Sequence, residues 1–319
     1  MRSTDPSISS AALSHVLDAL EVSCPITRRA LTKATGLGLS TVGRALSTCV
    51  SHGILTNKMG TDPTVGRACS AYIPAEGLLL PLLTLTRGHS TIRILDTALN
   101  PVHTAVTELH PAAPTEEAVR ILSRRLVALL RGCSGRNNLH VASPILLADN
   151  DLPAEVLRDT VTHALGTAPL AILRHEDAVA RALGRMGTPK AADSILFLSV
   201  GEHPHACLLL RDGAGEWSPS SLGRGLTHTL TRTLRAADSS AEGVRRATAV
   251  LLTDLCRFLT PDLIHVEDPR RILPDNDFFA PLLPDGVGIL VGGCDGLTIA
   301  EYGAALTGRR MLWDKILMG

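Results

Sequence analysis

Aromatic side chains are scarce in this sequence: phenylalanine, tryptophan and tyrosine make up 3% of its 319 residues, although hydrophobic residues as a whole make up 45%. Leu, Val, Ile and Ala must therefore fill the cores, and a chain of this length is expected to form about two or three domains. Proteins that bind single-stranded nucleic acids stack the bases on aromatic side chains. The composition argues against that class of protein.

Cysteine pairs and long apolar runs are also missing. The seven cysteines are scattered and form no C-x-x-C or C-x-C pair, which argues against a zinc knuckle or a dithiol redox motif and is typical of reduced thiols in a cytoplasm. The N-terminus has no apolar signal segment. The longest apolar run, Leu78 to Leu85, contains Pro81 and is too short to cross a bilayer. We expect a soluble, cytoplasmic protein that makes no membrane contact.

The chain has no net charge at neutral pH, which by itself predicts no polyanionic partner. Its charges are unevenly distributed, however. From Cys24 to Tyr72 there are six basic residues and one acidic residue, a local net charge of +5. A compact positive patch on a neutral protein is typical of a DNA-binding module.

Three helices are predicted in the first 76 residues. Thr27 is placed to cap the second, Arg28–Thr35, and Gly36 permits a tight turn after it. The third runs from Leu39 to His52 and is ended by Gly53. The apolar residues expected to be buried are Ile8, Ala12, Val16, Ala19 and Leu20 in the first helix, Ala30, Leu31 and Ala34 in the second, and Val42, Ala45, Leu46, Cys49 and Val50 in the third.

Polar side chains occupy the opposite face of the third helix, and a predicted hairpin with strands Ile54–Lys58 and Arg67–Ile73 follows it. Short hydroxyl and basic side chains suit base edges and phosphates in a major groove. We therefore predict a winged helix-turn-helix in residues 1–76 that contacts double-stranded DNA through Arg28, Ser40, Thr41, Arg44, Thr48, Lys58 and Arg67. The alternative is a three-helix domain that makes no DNA contact.

The amino-acid sequence of this segment resembles the winged helix of the repressor–ORF–kinase (ROK) family. In TRRALTKATGLGLSTVGRALSTCVSHGIL, residues Ser40, Thr41, Val42 and Arg44 match the family's S-T-V-x-R core. The segment VGRACSAY resembles its G-R-P-x-x-x-Y wing, with Ala68 in the usual proline position. The resemblance implies that Arg67 can enter the minor groove.

Residues 77–319 have mixed α/β patterning in two halves, about 77–190 and 191–319, each opening with antiparallel strands and ending in strand–helix alternation. The predicted helices are Thr115–Arg131, Ala154–Leu165, Glu176–Met186, Leu222–Ala236, Ala241–Leu259, Asn276–Leu282 and Leu297–Thr307. A strand is predicted at Leu139–Ser143. HEDAVARALGRM resembles the family segment E-N-D-A-N-A-A-A-L-G-E, with Asp177 in register. The resemblance implies a bilobal, actin-like ATPase (ribonuclease H-like) fold of the ROK type.

The nucleotide-binding turns of that fold are degraded. The first turn, D-x-G-G-T in the family, is LTRGHST here, and the second, G-T-G-x-G, is GEHPH, in which Pro204 removes a donor. In the third turn, I-x-x-G-G, Glu267 and Asp268 replace the glycines. The glycine-rich segment Gly292–Gly296 contains no Lys and is expected to be a turn before a helix. The family's zinc-binding cysteines are missing. His203 and His205 have no third ligand nearby and are expected to be partly exposed turn residues. We expect no kinase activity, no cofactor and no metal.

Glu176 and Asp177 are the candidate effector-binding residues. The resemblance places Asp177 at the general base of active sugar kinases and Glu176 at a sugar-binding Asn. The alternative is that both carboxylates only stabilise a helix N-terminus. We predict a DNA-binding transcriptional regulator, not an enzyme, that controls carbohydrate-related genes and forms a homodimer through its C-terminal domain, with a sugar-like effector. Two other functions remain open: an active carbohydrate kinase with an added DNA-binding domain, and an effector-independent dimeric regulator.

Overall fold

The computed structural model describes residues 9–22, 26–61, 68–86, 89–110, 113–133, 140–148, 153–189, 191–201, 203–238, 240–294 and 296–318. The chain divides into two compact units. Unit 1 comprises Met1–Leu173 together with Ala304–Gly319, and unit 2 comprises Arg174–Gly303. The domain limits that we predict from the sequence, after residue 76 and near residue 190, fall at other positions and remain predictions.

Three helices and a three-stranded sheet form the first part of unit 1. The helices are α1 (Ser10–Val22), α2 (Arg28–Thr35) and α3 (Leu39–Ser51), and the strands are β1 (Ile26–Thr27), β2 (Leu55–Thr61) and β3 (Ala68–Pro74). β3 lies between β1 and β2 and is antiparallel to both. The predicted helices and hairpin strands are present. The sequence does not predict β1, because two residues give no periodic pattern.

Local chemistry sets both ends of α2. The Thr27 hydroxyl accepts a hydrogen bond from the Ala30 amide at 3.2 Å, which satisfies one of the free donors of the first turn. At the other end Gly36 has a φ of 68°, a left-handed conformation that glycine adopts without steric cost. The predicted cap and turn are both confirmed.

The apolar faces of α2 and α3 are narrower than the sequence predicts. Leu31 of α2 is buried, but Ala30 and Ala34 are exposed. Around the helix axis Ala30 lies about 100° and Ala34 about 60° from Leu31, both on the same side, so the core contacts only the Leu31 edge of the predicted face. In α3, the residue Val50 is 38% exposed, because the last turn extends beyond the core that buries Val42, Ala45, Leu46 and Cys49. Ile8 lies outside the described residues.

A C-terminal helix, α10 (Ile299–Met318), completes the core of α1, α2 and α3. Trp313 and Leu317 are buried in the same hydrophobic cluster as the apolar side chains of these three helices. Arg309 donates hydrogen bonds to the carbonyl oxygens of Glu21 and Thr97, each at 3.2 Å. The helix thus joins the first part of unit 1 to its remainder through apolar packing and through hydrogen bonds.

The larger sheet of unit 1 contains antiparallel and parallel strands. Its strands are β4 (Leu78–Thr86), β5 (His89–Asp96), β6 (Pro101–Glu108), β7 (His140–Val141), β8 (Ile145–Ala148) and β9 (Ala171–Arg174). The order is β6-β5-β4-β8-β9, and β7 pairs with β4. β5 is antiparallel to β4 and β6, whereas β8 is parallel to β4. Helices α4 (Thr115–Cys133) and α5 (Ala154–Leu165) cover this sheet with Leu122, Leu126 and Leu157.

Unit 2 contains a five-stranded sheet with helices α6 (His175–Arg185), α7 (Gly223–Ala236), α8 (Ala241–Leu259) and α9 (Asn276–Phe279), the last followed by a 3₁₀ turn at Ala280–Leu282. Its strands are β10 (Ser194–Ser199), β11 (His205–Arg211), β12 (Trp217–Pro219), β13 (Leu263–Glu267) and β14 (Gly288–Val291). The order is β12-β11-β10-β13-β14, with β10–β11 and β11–β12 antiparallel and the other pairs parallel. Each unit therefore contains a sheet whose strands, counted along the chain with β7 aside, follow the order 3-2-1-4-5.

Three predicted elements are corrected. The predicted strand Leu139–Ser143 is divided, because β7 ends at Val141 and a separate buried strand, β8, begins at Ile145. The predicted helix Asn276–Leu282 ends as a 3₁₀ turn that contains Pro281, whose ring cannot continue an α-helix. α10 continues eleven residues beyond its predicted end at Thr307, to Met318. Among the described helices, none combines the length and apolarity that crossing a bilayer requires.

Candidate functional site

The polar face of α3 is accessible where the sequence predicts it. Ser40 and Arg44 are exposed, and Thr41 and Thr48 are half-buried, on the side of the helix away from Leu46 and the rest of the buried stripe. Ser47, also on this face, donates its hydroxyl to the Gly43 carbonyl at 3.0 Å. Because the side chains around Arg44 are short, this face of the helix is narrow enough to enter the major groove of DNA.

Arg28, a predicted DNA contact, binds the start of α3. Its Nε and Nη2 atoms donate to the Leu39 carbonyl at 3.0 and 2.8 Å. The guanidinium also covers Gly43, where an added Cβ would overlap Arg28 Nη2. Because a guanidinium has five N–H donors, Arg28 can hold α3 in place and still present donors to a phosphate. The sequence does not predict this positioning role.

Leu39 is a surface residue that the sequence analysis does not identify. It is the first residue of α3 and is 49% exposed. Its spacing from Val42 and Leu46 places it on the buried stripe, so periodicity alone would predict burial. It is exposed because the first turn of α3 extends beyond the core. An exposed leucine beside Ser40 can contact the methyl group of a thymine.

The hairpin carries two basic residues that the sequence predicts to contact DNA, Lys58 and Arg67. Lys58 on β2 donates to the Glu76 carboxylate at 2.9 Å, and this hydrogen bond together with the lysine charge lowers the pKa of Glu76. Both side chains are exposed, so the ion pair is weak and can exchange for a phosphate. Arg67 lies outside the described residues.

The predicted effector residues begin α6 but lie in different surroundings. Asp177 is exposed, but the protein atoms around its carboxylate desolvate it, and this desolvation, followed by the charge of the neighbouring Glu176, raises its pKa. Glu176 is 5% exposed, and its Oε1 lies 3.8 Å from His205 Nε2. The His175 and His205 rings are 4.6 Å apart, and burial lowers the pKa of His175 to about 3 and that of His205 to about 4. Both rings are therefore neutral near pH 7.

His205 corrects one expectation about the HPH segment. The sequence predicts that His203 and His205 are partly exposed turn residues, and His203 is exposed. His205, however, begins β11 and faces the buried Glu176, because strand alternation turns its side chain inward. Within the described part of the chain, no group of three or more His, Cys, Asp and Glu side chains is placed to hold a metal ion.

The acidic residues of the third degraded turn have structural partners. Glu267 is 2% exposed, and its Oε1 accepts a hydrogen bond from the Ile299 amide at the start of α10. Asp268 accepts from the Leu273 and Arg270 amides. Burial raises the pKa of Glu267 to about 7, although hydrogen bonds from Ile299 and Ser199 counteract it. The carboxylate of Glu267 thus occupies the helix terminus that follows the glycine-rich segment.

The same helix start has a reciprocal cap. The Thr298 amide donates to Glu301 Oε2 at 2.9 Å, and the Glu301 amide donates to the Thr298 hydroxyl at 3.1 Å. This capping box and Glu267 together satisfy amides that could otherwise bind an anion. The described residues of Gly292–Gly296 therefore serve as a turn before α10, as expected. Of the other two degraded turns, Arg87, Gly88 and Glu202 lie outside the described residues.

Comparison with known proteins identifies solved structures that have a similar fold. No protein-family model and no curated protein matches the sequence. Among solved structures, the chain is similar to a ROK family transcriptional regulator, a homologue of the E. coli Mlc protein, with a TM-score of 0.57 and 13% identity over 96% of this chain and 98% of that chain. It therefore shares the fold of that regulator over nearly its full length, which is the mixed α/β fold that the sequence resemblance implies.

Two kinases are also similar to part of this chain. An inorganic polyphosphate/ATP-glucomannokinase from Arthrobacter sp. strain KM has a TM-score of 0.49 and 16% identity over 72% of this chain and 98% of its own. A ROK family glucokinase from Streptomyces griseus, solved with glucose and AMPPNP, has a TM-score of 0.45 and 15% identity over 73% of this chain and 99% of its own.

Proposed function

We propose that this protein is a DNA-binding transcriptional regulator of the ROK family, with a winged helix-turn-helix in residues 1–76. The observation that carries the proposal is α3, which buries Val42, Ala45, Leu46 and Cys49 while Ser40 and Arg44 are exposed on its other face. The local net charge of +5 around this helix supports it. The likeness to the fold of a ROK family transcriptional regulator over 96% of this chain supports it as well.

In this proposal α3 enters the major groove and the β2–β3 hairpin forms the wing. Arg44 reads a base edge, and Thr41 and Thr48 contact the backbone or bases near it. Arg28 keeps the start of α3 in place through Leu39 and donates to a phosphate. Lys58 exchanges Glu76 for a phosphate, and Arg67 reaches the minor groove.

The C-terminal residues 77–319 serve dimerisation and effector binding in this proposal, and they do not transfer phosphate from ATP. The replacement of the third nucleotide turn by Glu267 and Asp268 supports the loss of kinase activity, because both carboxylates are committed to backbone amides and would repel a phosphate. Asp177 and Glu176 are the proposed contacts of a sugar-like effector, and the regulated genes concern carbohydrates. A regulator of this kind acts in the cytoplasm.

The test of the proposed function is selection of DNA by the purified full chain. Genomic fragments are incubated with the protein at low salt, and bound fragments are sequenced. We expect enrichment of one sequence that is repeated with two-fold symmetry, because a two-fold protein reads two half-sites. An assay of ATP turnover with a panel of hexoses accompanies it. Absence of any enriched fragment, or ATP turnover that depends on a hexose, would contradict the proposal.

A further inference from the structure

Unit 2 contains a cavity beside α6 to which the proposed DNA binding assigns no role. Its volume is about 600 Å³, enough for a small metabolite. One wall is the surface of α6 from Asp177 to Arg185, and the other is the end of β11, the turn after it and β12. All of these residues belong to unit 2.

Three guanidinium groups line this cavity. Arg181 and Arg185 follow Asp177 at intervals of four residues, so the three side chains form one row along α6. Four residues of helix rise about 6 Å, which sets the approximate spacing of the two arginine Cα atoms. Arg211 at the end of β11 provides the third guanidinium from the opposite wall.

The wall that carries Arg211 is held in place by its neighbours. Arg211 pairs with Trp217 across the β11–β12 ladder, and its guanidinium carbon lies 4.6 Å from the centre of the indole ring. Arg211 Nη2 donates to the Pro189 carbonyl, and Trp217 Nε1 donates to the Thr188 hydroxyl, each at 3.2 Å. Stacking and these two hydrogen bonds fix one charged group before any ligand enters.

The cavity exists partly because α6 has no side chain at Gly184. A Cβ added there would meet Trp217 Cδ1 at 3.4 Å, an ordinary contact distance, so a larger side chain would project along the indole into the cavity. The carboxylates of the lining are Asp177 at one end of the row and Glu216 in the exposed turn. Three positive groups therefore outnumber two negative groups.

We propose that this cavity binds a small molecule with two anionic groups, carboxylate or phosphate. Arg181 and Arg185 hold one group and Arg211 holds the other, because guanidinium N–H forks bind the oxygens of these groups in pairs. Asp177 at the far end excludes a third anionic group and accepts a hydroxyl donor instead. The inference adds two anionic groups to the sugar-like effector proposed at Asp177, and it does not depend on the proposed DNA binding.

The probes are pyrophosphate and citrate at millimolar concentration, with sodium chloride at matched ionic strength and spermidine as controls. The full chain has two tryptophans, so binding is followed through the fluorescence of Trp217 and through the unfolding temperature. We expect a response to pyrophosphate, citrate or both, and none to the controls. A response to only one probe identifies the anionic group that the site prefers. The fluorescence change should disappear in Trp217→Phe.

Two variants of different kinds test the site. Arg181→Gln/Arg185→Gln should weaken binding at least about tenfold, because each arginine loses charge-assisted hydrogen bonds. The matched control Arg232→Gln/Arg235→Gln removes the same charge from exposed positions on α7 and should leave binding unchanged. Gly184→Leu keeps every charge, suits a helix better than glycine and should occlude the cavity. No response to either probe, or equal binding by Gly184→Leu, or equal weakening by the α7 control, would overturn the proposal.

Discussion

Arg28 illustrates how one side chain can have a role that its residue type does not reveal. A basic residue in a positive segment predicts a DNA contact, yet its Nε and Nη2 atoms hold the Leu39 carbonyl at the start of α3. The two guanidinium N–H groups converge on this one oxygen, a geometry that a lysine ammonium cannot reproduce. Arg28 therefore positions the helix that carries the proposed base-reading residues.

We expect Arg28→Ala to reduce the free energy of unfolding by about 1 kcal/mol, the usual magnitude for a hydrogen-bonding group at a partly solvated position. Arg28→Lys should restore less than half of the loss. Chemical denaturation followed by circular dichroism measures both. The neighbouring Arg29→Ala, which removes the same charge from another exposed position on α2, is the control. Equal stability of the Arg28→Ala and Arg29→Ala variants would show that the Leu39 contact contributes nothing.

Glu267 predicts a pH dependence with a definite sign. Its pKa in the folded chain is about 7, above its ordinary value of 4.5. A carboxyl group whose pKa is raised by folding stabilises the protein below its unfolded pKa, and this contribution is lost as pH rises through the folded pKa. The buried His175 and His205 act oppositely, because their lowered pKa values make them destabilising as pH falls below 6.5. A variant is needed to separate the two effects.

Glu267→Gln is that variant, because the amide cannot ionise but can still accept the Ile299 amide hydrogen. Between pH 5 and pH 8, the stability of the natural chain should fall relative to this variant by on the order of 2–3 kcal/mol. Denaturant unfolding at several pH values measures the difference. A constant difference for Glu267→Gln would contradict the raised pKa.

Among the elements, α10 departs furthest from its sequence prediction. The periodic pattern supports a helix only to Thr307, yet the helix continues to Met318. Leu306, Arg309, Trp313 and Leu317 are all buried and lie on one face of the helix. Arg309 interrupts this stripe with a charge and Leu312 is buried on another side, so the sequence shows no continuous apolar stripe in the second half. The partner of that half is the N-terminal helices, almost 300 residues earlier in the chain.

We expect Trp313→Ala to destabilise the N-terminal helices strongly. The indole is fully buried among the side chains of α1, α2 and α3, so truncation leaves a cavity and should cost about 3–5 kcal/mol. Urea unfolding followed by circular dichroism measures the change, since the tryptophan signal is altered. Met311→Ala on the same helix, where the side chain is 41% exposed, should cost under about 1 kcal/mol. Similar losses for the two variants would mean that α10 is not part of this core.

Short strands mark the limit of sequence-based prediction at this scale. α5 and α8 have the predicted bounds, because each is long, periodic and ended by a residue in the left-handed conformation. β1 and β12 contain two and three residues and exist only because β3 and β11 pair with them. No local pattern specifies such strands, since their hydrogen-bond partners come from elsewhere in the chain.

Across the whole molecule, the sequence predicts two halves of similar design, and each unit has the same 3-2-1-4-5 strand order. The polar face of α3 also follows from the sequence, because a helix presents residues at fixed angles. Three features could not be predicted from the sequence: the Lys58–Glu76 ion pair, the exposure of Leu39 and the cavity between α6 and Arg211. Each depends on packing between segments that are separate in the chain. The face that a residue occupies on a helix can be predicted from local sequence, whereas contacts between distant side chains depend on the tertiary structure.

We expect the protein to be a homodimer at micromolar concentration, with the contact in residues 77–319. A regulator that reads a two-fold site needs a two-fold axis, and the first 76 residues contain no heptad stripe through which two copies could pair. Sedimentation equilibrium measures the mass directly. A stable monomer that still binds a palindromic site tightly would refute this expectation.

The central claim is that α3 reads double-stranded DNA, and the most direct measurement is the affinity of the full chain for its enriched genomic site with and without Arg44. We expect Arg44→Ala to lose about 1–3 kcal/mol of binding free energy at that site, and affinity to fall steeply with added salt as phosphate contacts release counterions. Arg235→Ala on α7, which removes an equally exposed charge from unit 2, should bind like the natural chain. Equal affinities of Arg44→Ala and the natural chain, or no affinity for any genomic fragment at low salt, would contradict the claim.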